Sequence, residues 1–496
     1  VELDTIYREE NLKARECFMF TIYDDLPGQR SMSRRRLLQI GALGAGSFSL
    51  PSLLEQKALA KEQSLIRNKS VVFLFLQGGP PQNEMWDPKM DAPENVRCCT
   101  GAVQTDIAGV QFGGTFEKMA RMTDRFAIVR SFHSSDAGHD QMPVLTGRHP
   151  SEAVMGAQFT RLAGVNHPRT AMPRHAVLLP EQIEPELQLG NPTGPFTYGY
   201  IRENYTNAGE YGGAHQALLL DGGKGLADSL TLSLPKKRFD DRRLLLTQLD
   251  NLKRRFDRTD DLAAANSSEQ QAVNVLLGGI ADAFDLSKED PRTIAKYDTS
   301  ELFDMNEWHR GGKMYNNKRN QSRITNLLGK QLLLARRLCE AGCGFVTVHD
   351  ACWDFHNDGN NPSHAKAMPV LGAQVDHAVA AFLEDVHQRG LSDDILLVIS
   401  SEMGRAPGKQ GNGGSGHWAR LTPLLLAGGG LKMGQIVGQT DAHGGEATSK
   451  LYGPQHLNAT IMRTLIDGPQ ARLLAGLPSE LIETATDAEP ILEMHG

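Results

Sequence analysis

The sequence predicts a doubly wound α/β fold, a mostly parallel sheet with flanking helices and an irregular, partly helical insertion, and three observations carry that expectation. Short unbroken apolar runs end in Gly or Pro, as in Val71-Val72-Phe73-Leu74-Phe75-Leu76 before Gln77-Gly78-Gly79-Pro80. A strand covered on both faces reads this way. Amphipathic helical stretches precede several of the later runs. Ionisable residues gather just past the strand ends, where such sheets bind ligands.

The elements follow in order. Thr115–Thr123 places Phe116, Met119 and Ala120 on one helical face and leads to a strand at Phe126–Arg130, which opens a βαβ unit. His175–Leu179 is a further short strand. From residue 181 to about 320 the pattern loosens, with Gly, Pro, Asn and Tyr concentrated between Gly190 and Gly213, and this reads as an insertion. Ser322–Ala341 recovers helical periodicity through Ile324, Leu327, Leu328, Leu334, Ala335 and Leu338, with Gly342 as its stop. Strand Phe345–His349 follows directly. A helix over His364–Gln388 precedes strand Ile395–Ser400, and a last strand is expected at Leu421–Leu426. Repeated helix-then-strand order builds parallel neighbours.

Residues 1–60 read as a leader and 61–496 as the domain. Ser33-Arg34-Arg35-Arg36-Leu37-Leu38-Gln39 sets a twin arginine before an uncharged segment rich in Gly, Ala and Ser, and Ala58-Leu59-Ala60 offers a small-x-small cleavage pattern. This is an export signal of the twin-arginine type, which implies a periplasmic or extracellular mature protein. The charged, patternless stretch ahead of it suggests that translation starts at Met32. Only weakly apolar, the segment is not expected to remain as a membrane span.

Composition narrows the partners. Residues 1–60 hold 8 Lys+Arg and 8 Asp+Glu, so the rest keeps 44 against 51, the same net −7 as the whole chain. No basic patch of the kind that neutralises phosphates stands out, which argues against nucleic acid. Cys98, Cys99, Cys339, Cys343 and Cys352 show no paired CxxC spacing, hence neither a disulfide framework nor a zinc knuckle.

The strand ends carry the chemistry. Gln77 ends the first strand; His133, Asp136, His139 and Asp140 follow the second; Asp354 and His356 follow the strand ending at His349; Glu402 follows the next, and His417 comes directly after the glycine-rich stretch Gly411–Gly416. Carboxylates and imidazoles from separated segments, gathered at one sheet edge, suit a divalent metal. Asp354 and His356 alternate, so an extended backbone points both to one face. Against each stands a structural role: Glu402 pairing with Arg405, His417 packing under Trp418, and Asp136 with His139 as neighbours on a helical turn. The candidate metal ligands are Asp354, His356, Glu402 and His417, with His139 and Asp136 as candidate catalytic groups. The mixed donors favour zinc or manganese over calcium.

Phe73 to Pro80 with Trp86-Asp87-Pro88-Lys89, the stretch Ala335-Arg336-Arg337-Leu338 to Val348, Trp353-Asp354-Phe355-His356, Ser401-Glu402-Met403-Gly404-Arg405 and Gly416-His417-Trp418 together resemble the exported bacterial family catalogued as domain of unknown function 1501. That family is similar to the alkaline phosphatase and sulfatase superfamily. The resemblance therefore implies an alkaline phosphatase-like fold bearing metal and hydrolysis of phosphate or sulfate esters. Leu145-Thr146-Gly147-Arg148 looks like the end of the sulfatase nucleophile helix, yet the sulfatase spacing places Ala137 at the nucleophile position. Gln77 stands for the superfamily's first aspartate and Glu402-Met403 for its Asp-His pair, while Pro81 replaces a serine common in the family.

Two readings follow. One is an exported metal-dependent hydrolase of small-molecule or polysaccharide esters, in which water activated by His139 attacks directly and Ser134 or Ser135 are fallback nucleophiles. The other is a catalytically inactive exported module that holds a polysaccharide or protein partner through Tyr198, Tyr200, Tyr205 and Tyr211.

Overall fold

The computed structural model describes residues 65–134, 136–184, 203–219, 281–304, 325–358, 361–474 and 476–495. Contacts along the chain separate Val1–Ala60 from Lys61–Gly496, and every described residue belongs to the second unit.

The apolar run forms β1 (Ser70–Leu76), the hub of an eight-stranded sheet. The other strands are β2 (Ala127–Val129), β3 (His175–Leu178), β4 (Leu218–Leu219), β5 (Phe345–Asp350), β6 (Ile395–Ser400), β7 (Leu425–Gly428) and β8 (Gln435–Val437). Their order is β8-β2-β7-β6-β1-β5-β3-β4. Only β7 runs antiparallel to its neighbours, so the sheet is mostly parallel.

Side chains of β1 alternate between two cores. Val72, Leu74 and Leu76 pack with Leu332, Leu338, Val375 and Phe382 from helices α2 (Leu328–Glu340) and α3 (Ala373–Gln388). Val71, Phe73 and Phe75 pack with Phe159, Leu457 and Ile461 from α1 (Met155–Ala163) and α4 (Pro454–Leu465). Helices on both faces make the fold doubly wound, and period-two alternation within an all-apolar strand is what this requires. At the end of α2, Gly342 (φ 104°) donates to Cys339 O and Cys343 to Leu338 O, two bonds that close the last turn and reverse the chain into β5.

Three elements differ from the sequence reading. Phe116, Met119 and Ala120 are buried, but residues 115–123 hold only a short 3₁₀ turn at Met119–Arg121. The backbone N–H groups of Lys118 and Met119 donate instead to the Asp376 carboxylate, at 3.0 and 2.8 Å. The expected strand at Leu421–Leu426 begins at Leu425, beyond Pro423, which has no N–H for a ladder. The helix over His364–Gln388 is interrupted by a wide π-type turn at Met368–Gly372 that contains Pro369.

The described parts of the insertion pack on the domain. Leu218–Leu219 extends the sheet as β4, and Glu289 is held by Arg336 at 2.7 Å and Arg337 at 3.0 Å on α2. Tyr205 is buried edge-on against Phe75 and His349, both at 5.4 Å, which removes it from the expected set of sugar-stacking rings. Tyr211 is half-buried, and Tyr198 and Tyr200 lie outside the described residues. Among the described residues no helix is long and apolar enough to cross a membrane, and all five described cysteines are free.

Candidate metal centre

Strands β6, β1 and β5 are parallel neighbours, so their carboxyl ends open on one edge. Beyond β5 the segment 351–358 brings Asp354 and His356. Beyond β6 come Ser401 and Glu402, then a two-stranded ribbon pairing Gly404–Arg405 with His417–Trp418, which returns His417 to the same edge. The loop after β2 brings His139 from the far side of β7. One donor atom from each of His139, Asp354, His356 and His417 lies within 4.8 Å of the others.

The tightest part is a trio. His356 Nε2 is 2.7 Å from His417 Nε2 and 3.0 Å from Asp354 Oδ1, and His417 Nε2 is 3.3 Å from that same oxygen. His139 stands slightly apart, its Nε2 3.7 Å from Asp354 Oδ2.

Hydrogen-bond chemistry fixes the tautomers of His417 and His139. His417 Nδ1 lies 2.7 Å from Ala137 O, which can only accept, so it is protonated. His139 Nδ1 lies 3.1 Å from Glu402 Oε1 and donates in the same way. In the neutral rings Nε2 then carries the lone pair and faces the centre. Arg405 Nη2, which can only donate, faces both nitrogens of His356, at 3.2 Å from Nδ1 and 3.1 Å from Nε2. Asp354, His356 and His417 thus crowd their donor atoms at one point. Exchanging a proton for a cation is how imidazole and carboxylate sites load metal, and the donor set fits a borderline divalent ion.

Electrostatics support an ionised Asp354. Burial alone would raise its pKa, but the contact with His417 and the charge of Arg405 outweigh burial and hold it below the usual carboxylate range. Burial lowers the pKa of His356, with Arg405 adding to the effect. Arg405, drawn by burial to about 10, remains protonated; its Nη1 donates to Asp354 Oδ1 at 2.8 Å and to Gly78 O at 2.9 Å.

The other predicted residues are placed as follows. Glu402 lies outside the group of four and serves its neighbours: it accepts from His139, from Gly78 N–H at 2.9 Å and from Ser401 Oγ at 2.7 Å. The anticipated Glu402 pairing with Arg405 is not made, because the ribbon turns Arg405 onto Asp354. His417 does not pack under Trp418, since adjacent strand residues face opposite ways and the indole N–H donates to Gly445 O at 2.8 Å. No helix joins Asp136 to His139. Asp136 Oδ1 turns back on Gly138 N–H at 2.6 Å, and His139 has a left-handed φ of 62°.

Asp140 Oδ1 accepts from Met142 N–H. Gln77 is buried, with Oε1 2.8 Å from His349 Nε2. His133 is half-buried, and Ser134 Oγ is buried, donating to Asp136 O at 3.1 Å. Ser135 lies outside the described residues. Sequence reading missed Arg405 as the partner of Asp354, for which the buried pairing left no signal.

The family profile described as "Protein of unknown function (DUF1501)" matches residues 68–493. This chain belongs to that family. No curated protein matches it. Among solved structures it is similar to the PsFucS1 sulfatase from Pseudoalteromonas sp., at 12% identity and a TM-score of 0.29, over 92% of this chain and 78% of that one. It is also similar to an alkaline phosphatase from the Antarctic bacterium TAB5, at 10% identity and a TM-score of 0.27, over 75% and 95%. A third is the lipoteichoic acid synthase LtaP from Listeria monocytogenes, at 8% identity and a TM-score of 0.24, over 86% and 81%.

Proposed function

We propose that this DUF1501 protein is an exported, metal-dependent hydrolase of sulfate or phosphate esters, small-molecule or polysaccharide. The observation that supports it most is the convergence of His139, Asp354, His356 and His417 at the carboxyl edge of the sheet. Asp354, His356 and His417 would hold a zinc or manganese ion, three protein donors being the number that leaves a position open for chemistry. Such an ion, when bound, polarises an ester oxygen and lowers the pKa of a bound water.

The chain's own groups do the rest. His139, clamped through Nδ1 by Glu402, presents Nε2 to take the proton of the attacking water and return one to the departing alkoxide. Arg405 keeps Asp354 charged and oriented. Asp136, tied to its own loop, has no partner role toward His139 in this scheme.

Water attacks directly, because Ala137 stands where the resemblance implies a nucleophile and Ser134 Oγ is buried. A single in-line displacement inverts the phosphorus or sulfur centre, whereas two would restore it. The purified protein, prepared without chelator, should carry close to one equivalent of zinc or manganese, and a chiral, isotopically labelled ester should give inverted product. Absence of metal by elemental analysis, or retention of configuration, would overturn this reading.

Export is proposed on the twin arginine. Changing Arg34 and Arg35 together to Lys keeps the charge but removes the feature such receptors read. The precursor should then stay in the cytoplasm uncleaved, and fractionation showing normal export of the double variant would refute the assignment.

A further inference from the structure

Beneath the centre runs a second, wholly buried polar column. Glu84, on the short turn after β1, is 0% exposed, and His364 and Ser415 are each 1% exposed. Ser415 Oγ lies 2.7 Å from His364 Nε2, and His364 Nδ1 lies 3.5 Å from Glu84 Oε1. Lys409 Nζ at 3.0 Å, the Cys99 N–H at 2.9 Å and Cys98 Sγ at 3.1 Å also contact this carboxylate.

The column ends on Ser415, whose backbone serves the centre in both directions. Its N–H donates to Phe355 O at 2.9 Å, between Asp354 and His356. Its carbonyl accepts from Arg405 Nη2 at 2.8 Å and Nε at 3.2 Å, and Arg405 in turn holds Asp354. Two residues on comes His417. Ser415 therefore touches every segment of the trio, and among the described residues its side chain is anchored through His364.

We infer that the Glu84, His364 and Ser415 column sets the geometry of the metal-holding trio, with His364 as a positioning residue. The inference rests on the reading that the trio holds metal. His364 Nδ1 meets Glu84 at ion-pair rather than hydrogen-bond distance, and burial keeps the Ser415 hydroxyl from any substrate, so the column acts by holding backbone. Partners that orient ligands cost about 10–100-fold in metal affinity when removed.

The test measures zinc affinity by chelator competition and the visible spectrum of the cobalt(II)-loaded protein. His364→Leu should weaken zinc about 10–100-fold and shift the cobalt band. His364→Gln, whose amide oxygen can accept from Ser415, should restore both. Leu334→Ala, a core truncation on α2, should lower melting temperature without moving either. Ser415→Ala, a change of one hydroxyl, carries the test if His364→Leu does not fold. Wild-type affinity in both column variants, or an equal loss in Leu334→Ala, overturns the positioning role while leaving the metal reading intact. Labelling of Ser415 by a fluorophosphonate overturns it in favour of a nucleophile. Failure of the wild type to bind zinc at all removes the functional reading itself.

Discussion

Asp354→Asn is expected to lower zinc affinity at least about a hundredfold while the chain stays folded, and Asp354→Ala to destabilise the fold by about 3–5 kcal/mol. The two variants separate two jobs of one carboxylate. Asp354 Oδ1 neutralises Arg405, whose side chain is 0% exposed. Deleting the side chain strands that cation, the costly way to break a buried pair. Asparagine keeps an oxygen for Arg405 at 2.8 Å but removes the charge that a divalent ion needs. The readout is thermal: zinc at a hundred times the wild-type Kd stabilises by about 2.7 kcal/mol, and a hundredfold weaker site at the same concentration by only about 0.4. An equal zinc-induced rise in melting temperature for Asp354→Asn and wild type would show that Asp354 is no ligand.

How much of this was legible follows from where each signal resides. β1 could be read because both faces of one strand are buried, a local property of Val71–Leu76. Residues 115–123 could be read for burial but not for backbone form, since the carboxylate that takes the Met119 N–H belongs to Asp376, 257 residues away. Asp354, His356 and His417 were legible as polar residues after strand ends. Their pairing was not, because the ribbon at Gly404–Arg405 and His417–Trp418 decides which cation meets which carboxylate. His139 was placed on a helix by its spacing from Asp136, and its φ of 62° belongs to a tertiary constraint no spacing encodes. Cys352 (φ 75°) and Asn357 (φ 51°) bracket the Asp354–His356 segment in the same left-handed region. For Cys352, a residue type that seldom enters this region, that conformation is strained. Strain of this kind persists where surrounding structure enforces it, as at ligand-holding sites.

Gly78→Ala is expected to cost about 2–6 kcal/mol, because two penalties of about 1–3 kcal/mol each coincide. Gly78 has φ 120°, a region that side chains rarely enter, and a Cβ there would lie 2.5 Å from Asp354 N and 2.8 Å from Trp353 C. Both neighbours are backbone, so neither can swing aside. The clash has a functional direction as well. Gly78 N–H donates to Glu402 Oε1 at 2.9 Å and Gly78 O accepts from Arg405 Nη1 at 2.9 Å, so any shift that relieves it moves the supports of His139 and Asp354 together. Gly101→Ala supplies the comparison: φ is 78°, but nothing lies within 4 Å of its Cβ, and only the backbone penalty applies. Chemical denaturation should therefore show Gly101→Ala losing about 1–3 kcal/mol and Gly78→Ala more, with zinc affinity reduced only in the latter. Equal losses in the two variants, with zinc binding unchanged, would mean that the first strand's glycine turn does not hold the centre in place.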